Sequence, residues 1–138
     1  MPLDPDRALQ GAVLTRLVTD ATLPALIGVP PRVYDQPPDD PVYPFVQIGA
    51  VTTRPWGGLL GDGIEHVFTL TAVSRFGGAE EAKAVMAAVR ACLDDAALSL
   101  TDNTLVNLRF VYGDVFRAAD FRSTFGILRF RAVTEPNP

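Results

Sequence analysis

The sequence has one cysteine, Cys92, and one histidine, His66. A lone thiol cannot close a disulfide within the chain, and these two residues cannot supply the four ligands of a usual Cys/His zinc site. Lysine is equally scarce, with Lys83 alone beside eleven arginines. A cation set made almost wholly of arginine suits planar, two-pronged contact to carboxylates and phosphates. No apolar run approaches the roughly 18 to 20 residues of a membrane span. The opening residues Met1 to Asp6 carry acids where a signal peptide carries bases. These absences predict a soluble, unexported chain with no membrane partner. At 138 residues, 48% hydrophobic and 20% charged, the chain has the composition of an ordinary folded domain. It is predicted to form one domain, residues 1–138, with no room for separate catalytic and cofactor domains.

What is present is unevenly spread. Residues 1–103 carry seven bases against thirteen acids. Residues 104–133 carry Arg109, Arg117, Arg122, Arg129 and Arg131 against only Asp114 and Asp120. The net charge of -4 therefore conceals an acidic first part and a basic later part. Such a division suits either one self-neutralising surface or two surfaces that pair between copies of the chain.

Hydrophobic spacing sets out the elements. Leu9, Val13 and Leu17, with neighbouring Leu14, predict an amphipathic helix from Asp6 to Asp20. Leu23 and Leu26 suit a short helical turn before Gly28 and the Pro30, Pro31 pair. A short strand over Arg32 to Asp35 follows, then a proline-rich surface loop from Gln36 to Pro41. Alternation of Val46, Ile48 and Ala50 predicts a strand from Phe45 to Thr53, and Ile64, Phe68, Leu70 and Ala72 predict its hairpin partner from Ile64 to Ser74. Between them Arg54 to Gly63 holds four glycines together with Trp56, Leu59 and Leu60, too apolar for a mere turn. A helix from Ala79 to Ala97 presents Ala82, Val85, Met86, Val89, Cys92, Leu93 and Ala96 on one side, with Glu80 and Glu81 in its first turn. Its second row, Ala84, Ala87, Ala88 and Ala91, is small and uncharged. Two long strands close the chain, Thr104 to Val115 and Phe121 to Val133. Val106, Leu108, Phe110 and Tyr112 are predicted on one face of the first, and Arg129 and Arg131 on the outer face of the second, near Arg109. The fold class predicted is α+β: an antiparallel sheet of about four strands with two helices packed on one side.

Catalytic chemistry is hard to find. His66 has no Ser or Cys motif beside it and reads as a half-buried structural histidine. Cys92 lies on the apolar helix face and reads as a small hydrophobe. The glycines from Gly57 to Gly63 feed a strand, whereas a phosphate-binding loop feeds a helix. The acid pairs Asp39/Asp40 and Asp94/Asp95 fall on a loop and a helix end, where solvent accounts for them. The sequence predicts no catalytic residue, no metal and no cofactor.

Four stretches, in their order and spacing, carry a resemblance. They are Tyr43, Pro44, Phe45 and Val46; the run His66 to Ser74; the Gly77, Gly78 pair with the alanine-rich helix to Leu93; and Leu128 to Val133. Over about Arg32 to Pro136 the chain resembles the tail-terminator, or tail-completion, proteins of long-tailed phages and phage-like gene transfer agents. It departs from them at the end of the second long strand, where they often show tryptophan-serine and this chain has Val73 and Ser74. The resemblance implies a homo-hexameric ring at the head-proximal end of the tail, in the neck of a virion or gene transfer agent particle assembled in a bacterial cytoplasm. It implies tail tube protein and a head-completion (stopper) protein as partners, with DNA passing through the lumen without sequence-specific binding. No catalytic residues are carried over. A different connector ring, stopper or adaptor, shares these features, and a small α+β enzyme or ligand-binding domain using His66 or Asp62 is the rival from another class.

The residues themselves propose surfaces for such a role. A ring joins two different patches of neighbouring subunits, and opposite charges set their orientation. Arg109, Arg129 and Arg131 are the candidates on the basic side, with the alanine row 84, 87, 88 and 91 as an apolar contact. Arg54, Trp56, Leu59 and Leu60 are the candidate partner-binding residues. For Trp56 the alternative is that its ring folds back to complete the subunit's own core.

Overall fold

Asp4 starts the first helix because its carboxylate accepts from the backbone N–H groups of Asp6 and Arg7, at 3.1 and 3.3 Å. Pro5, with no N–H to leave unpaired, fits the first turn that follows. The computed structural model describes residues 2–57, 61–76 and 78–138. In it α1 (Pro5–Val18) buries Ala8, Leu9, Val13 and Leu17, and Leu14 faces outward. The Asp20 carboxylate then accepts from Thr22 and Leu23 N–H, turning the chain into the single turn of α2 (Pro24–Ile27). Gly28, at φ +91°, ends it in a conformation that side chains resist.

The remaining elements are β1 (Val33–Tyr34), β2 (Phe45–Trp56), β3 (Gly63–Ser74), α3 (Gly78–Leu93), β4 (Ser99–Leu100), β5 (Asn103–Arg117) and β6 (Thr124–Pro136). They form one sheet in the order β1-β2-β3-β6-β5-β4, antiparallel throughout except that β1 runs parallel to β2. The helices lie on one face. There Val85, Val89 and Leu93 of α3 and Leu9, Val13 and Leu17 of α1 meet Val46, Phe68, Leu70, Leu108, Leu128 and Phe130 of the sheet. Phe130 stacks on Phe68 at 5.5 Å between ring centres and receives Phe110 edge-on at 5.8 Å. By the alternation of strands, Glu65, Val67, Thr69 and Thr71 of β3 and Arg129 and Arg131 of β6 project from the other face, which no helix covers.

The α+β class predicted from sequence is the observed one, with a richer architecture: six strands and three helices among the described residues, against about four and two expected. The predicted Arg32 to Asp35 strand is β1, and the helical turn around Leu23 and Leu26 is α2. β4 escapes sequence reading because two residues carry no periodicity. The α3 helix stops at Leu93, short of the expected Ala97, where the Asp95 N–H donates to Leu108 O and ties the chain to β5. The last strand begins at Thr124 rather than Phe121, since Phe121 takes φ +59° within the hairpin turn.

Two predicted faces are also corrected, both by bulges. An extra residue on one strand reverses the alternation beyond it. Shifts between Leu105 and Asn107 and between Phe110 and Tyr112 turn Val106 and Tyr112 outward, 45% and 46% exposed, and leave Leu108 and Phe110 facing the helices. A shift between Ile48 and Val51 likewise puts Val51 against the core in place of Ala50.

Candidate functional site

His66 is the group whose chemistry most needed a structure to settle. It lies on the helix-facing side of β3, fully buried. Its Nε2 is 2.9 Å from Thr134 Oγ1, and its Nδ1 is 3.4 Å from Asp6 Oδ1 in the first turn of α1. Asp, His and hydroxyl thus stand in the order of a proton relay. Thr134 is itself fully buried, so a substrate has no approach to the hydroxyl. Burial pushes the His66 pKa below 6.5, and the hydrogen bond and charge of Asp6, with the charge of Asp4, pull against it. The arrangement ties α1 to β3 and β6. The half-buried histidine expected from sequence is in fact completely enclosed.

Cys92 is buried, its Sγ 3.6 Å from Arg16 O, and desolvation raises its thiol to about 11. A thiol held protonated in this way is a poor nucleophile. A shallow groove of about 530 Å³ between α1 and residues 97–101 is lined by Arg7, Gly11, Ala12, Thr15, Arg16 and Leu98 among others, with no acid, histidine or thiol in its wall. Among the described residues no group of three His, Cys, Asp or Glu side chains is placed to hold a metal ion. Among the described residues no helix is long and apolar enough to cross a membrane.

The uncovered sheet face gathers the charges instead. Arg109 and Arg131 are direct cross-strand neighbours, and Tyr112 stands opposite Arg129. Glu65 takes two partners at once, Arg131 at 2.8 Å and Arg54 at 3.2 Å. Arg109 reaches Asp94 at 3.3 Å, and the Arg129 guanidinium lies 5.2 Å from the centre of the Tyr112 ring. The structure therefore brings Arg54, Arg109, Arg129 and Arg131 onto one surface, as the strand pairing predicted for the last three. Ala84, Ala87 and Ala91 are exposed and Ala88 partly so, on α3 and hence on the opposite side of the sheet.

Trp56 ends β2 opposite Gly63 and is 41% exposed. Both strands reach further toward their connection than the sequence suggested, so Arg54, Pro55 and Trp56 belong to β2. Leu59 and Leu60 lie outside the described residues. At the other end of the sheet is a cluster that sequence reading missed. Arg75 donates to Ser123 Oγ at 3.2 Å and lies over the Tyr43 ring at 4.6 Å, and Phe76, 86% exposed, meets the same ring edge-on at 6.3 Å between centres. Residues in turns carry no periodic signal; the pairing of Ser74 with Thr124 is what brings Arg75 to Ser123.

Comparison with known proteins gives this scaffold its context. A solved chain from the virion of a native gene transfer agent particle matches with a TM-score of 0.86 and 34% identity, over 94% of this chain and 96% of that one. A likeness of that extent defines the class: this is a structural component of a virion-like particle. The family model of tail completion protein gp17 matches residues 11–135, and the chain belongs to that family. A search of curated proteins returns no match.

Proposed function

We propose that the protein forms a hexameric ring that terminates the tail tube and joins it to the head connector. The observation that carries this reading is the end-to-end likeness to a gene transfer agent virion chain within the tail completion family. Residues 1–138 act as one tail-terminator-like domain with no catalytic task, located at the neck of the particle and assembled in the bacterial cytoplasm. Its partners are further copies of itself, tail tube protein and a head-completion (stopper) protein. Arg109, Arg129 and Arg131 orient neighbouring subunits, and the row Ala84, Ala87, Ala88 and Ala91 adds apolar contact. Arg54 and Trp56, with Leu59 and Leu60, dock against the tube or the head side.

Size is compatible with this role. A chain of this length has a radius of gyration of about 14 Å and a width of roughly 35 Å. In a six-membered ring the spacing between centres equals the ring radius, which leaves an opening of about 35 Å before loops intrude. DNA passes through such an opening without being read. The test is electron microscopy and native mass spectrometry of the protein mixed with tail tubes: hexamers capping tube ends are expected. Binding to portal-side protein with no affinity for tubes would identify a stopper or adaptor ring instead.

A further inference from the structure

Beyond the two-residue strands β1 and β4, backbone groups of β2 and β5 point away from the rest of the sheet. On β5 the Leu108 carbonyl accepts from Asp95 N–H, and Phe110 N–H donates to Asp94 Oδ1, so both residues turn their backbone away from β6. Their partners on β6 are Ala132 and Phe130. Two-residue steps along β6 from there reach Leu128, Gly126 and Thr124, opposite Gly113, Val115 and Arg117. These three residues of β5 therefore point their N–H and C=O groups outward in the same way. On β2 the Val46 N–H donates to Arg32 O beside β1. The same alternation, carried through the bulge, turns Ile48, Val51, Thr53 and Pro55 outward.

Each edge thus offers three outward residues whose N–H groups meet no partner among the described residues, bounded at both ends. On β2 the limits are β1, which pairs only with Val46 and Gln47, and Pro55, which has no N–H to give. On β5 they are the Asp94–Asp95 segment and the turn after Arg117. A long edge strand that is neither covered nor interrupted invites pairing with another chain. The β5 edge has the composition for it: Val111, Tyr112 and Phe116 are each about half exposed.

We infer that the β5 edge of one copy pairs antiparallel with the β2 edge of the next, Gly113, Val115 and Arg117 facing Thr53, Val51 and Ile48. The inference rests on the ring reading above. Direction is satisfied, because β2 and β5 run oppositely within the sheet and a rotation about an axis along the strands preserves this. Charge is satisfied as well: Arg117 arrives where β1 gives way to the exposed Asp35, beside the acidic loop that carries Asp39 and Asp40. The stagger also suits closure. Val51 is level with Phe110 across the sheet but would pair with Val115, five residues along β5. One of those five is the bulged Val111, so the rise is the four residues of β6 from Phe130 to Gly126, and over four long strands it inclines the strands by about 35°, taking roughly 3.3 Å per residue and 4.8 Å per strand. Closed barrels lie at about 35 to 45°.

Thr52 and Asp114 then face each other as a pair without backbone hydrogen bonds, close enough for a disulfide. Both are exposed, so neither replacement disturbs the core. The test is Thr52→Cys with Asp114→Cys in a Cys92→Ala background, oxidised after assembly into particles and run on a non-reducing gel. A covalent ladder rising to the full ring is expected from the double variant, dimers only from a mixture of the two single variants, and monomer from either alone. Rings seen by microscopy with no ladder would overturn the edge pairing and leave the ring intact. Particles in which the wild-type protein is monomeric would instead remove the ring reading itself.

Discussion

His66 joins three elements through two hydrogen bonds, and its titration reports on that join. Because burial lowers its pKa below 6.5, the folded protein binds this proton less readily than the unfolded chain. Its contribution to stability is then complete above about pH 6.5 and is lost as the pH falls toward the folded pKa. The melting temperature is expected to drop between about pH 7.5 and pH 5.5, and to drop less in His66→Gln. Parallel curves for the two proteins would show that other groups govern the acid limb. Trp56 gives a second prediction at this scale. A ring 41% exposed at the end of a strand is not a core anchor, so Trp56→Ala should cost about 1 kcal/mol or less in urea unfolding. If it docks a partner, the same variant yields particles with unattached heads and tails. A loss of ~3 to 5 kcal/mol would return the ring to the subunit's own core.

Among the elements, α3 rests on β6 where Gly126 makes room for the Met86 side chain. A Cβ on Gly126 would overlap Met86 Sδ and lie 3.6 Å from the Ala72 Cβ. Methionine can yield by rotating, but a larger side chain must lift the helix. Gly126→Leu should therefore destabilise by about 1 to 3 kcal/mol, read as a lower denaturant midpoint. Across the other face, Glu65 binds β2 to β6 by holding Arg54 and Arg131 together. Arg54 is well exposed and screens readily, so the pairs add only a little each. Glu65→Gln is expected to cost about 1 kcal/mol at low salt and less as salt rises, which thermal melts at two ionic strengths would resolve.

Over the whole molecule, the arginine-rich sheet face and the alanine row of α3 lie on opposite sides of the sheet. Exposed ion pairs are worth ~0.2 to 1 kcal/mol each, so in the proposed ring the arginines would steer association more than they would hold it. Arg131 already pairs with Glu65 and Arg109 with Asp94, whereas Arg129 rests on Tyr112. Reversing Arg129 and Arg131 together to Glu should slow or prevent ring assembly at low salt, followed by native mass spectrometry. Unchanged assembly would remove the electrostatic part of the proposed interface.

The sequence by itself determined the helices and the long strands, because each is stated locally. Val85, Val89 and Leu93 recur at helical spacing, and Ile64, Phe68 and Leu70 fall on one side of a strand whatever else the chain does. It also determined that Arg129 and Arg131 share a face, since period two needs no partner. Tertiary structure alone decided where that period breaks. The bulges at Ala50, Val106 and Val111 each put an extra residue on one strand of a pair; Gly49 is a local sign of the first, and no residue in β5 announces the other two. The same holds for the candidate surfaces. Glu65 between Arg54 and Arg131, Arg75 between Tyr43 and Ser123, and His66 between Asp6 and Thr134 are each assembled from segments far apart in the chain. Such contacts follow from strand order, which depends on the packing of the whole sheet against its helices and not on any one segment of the sequence.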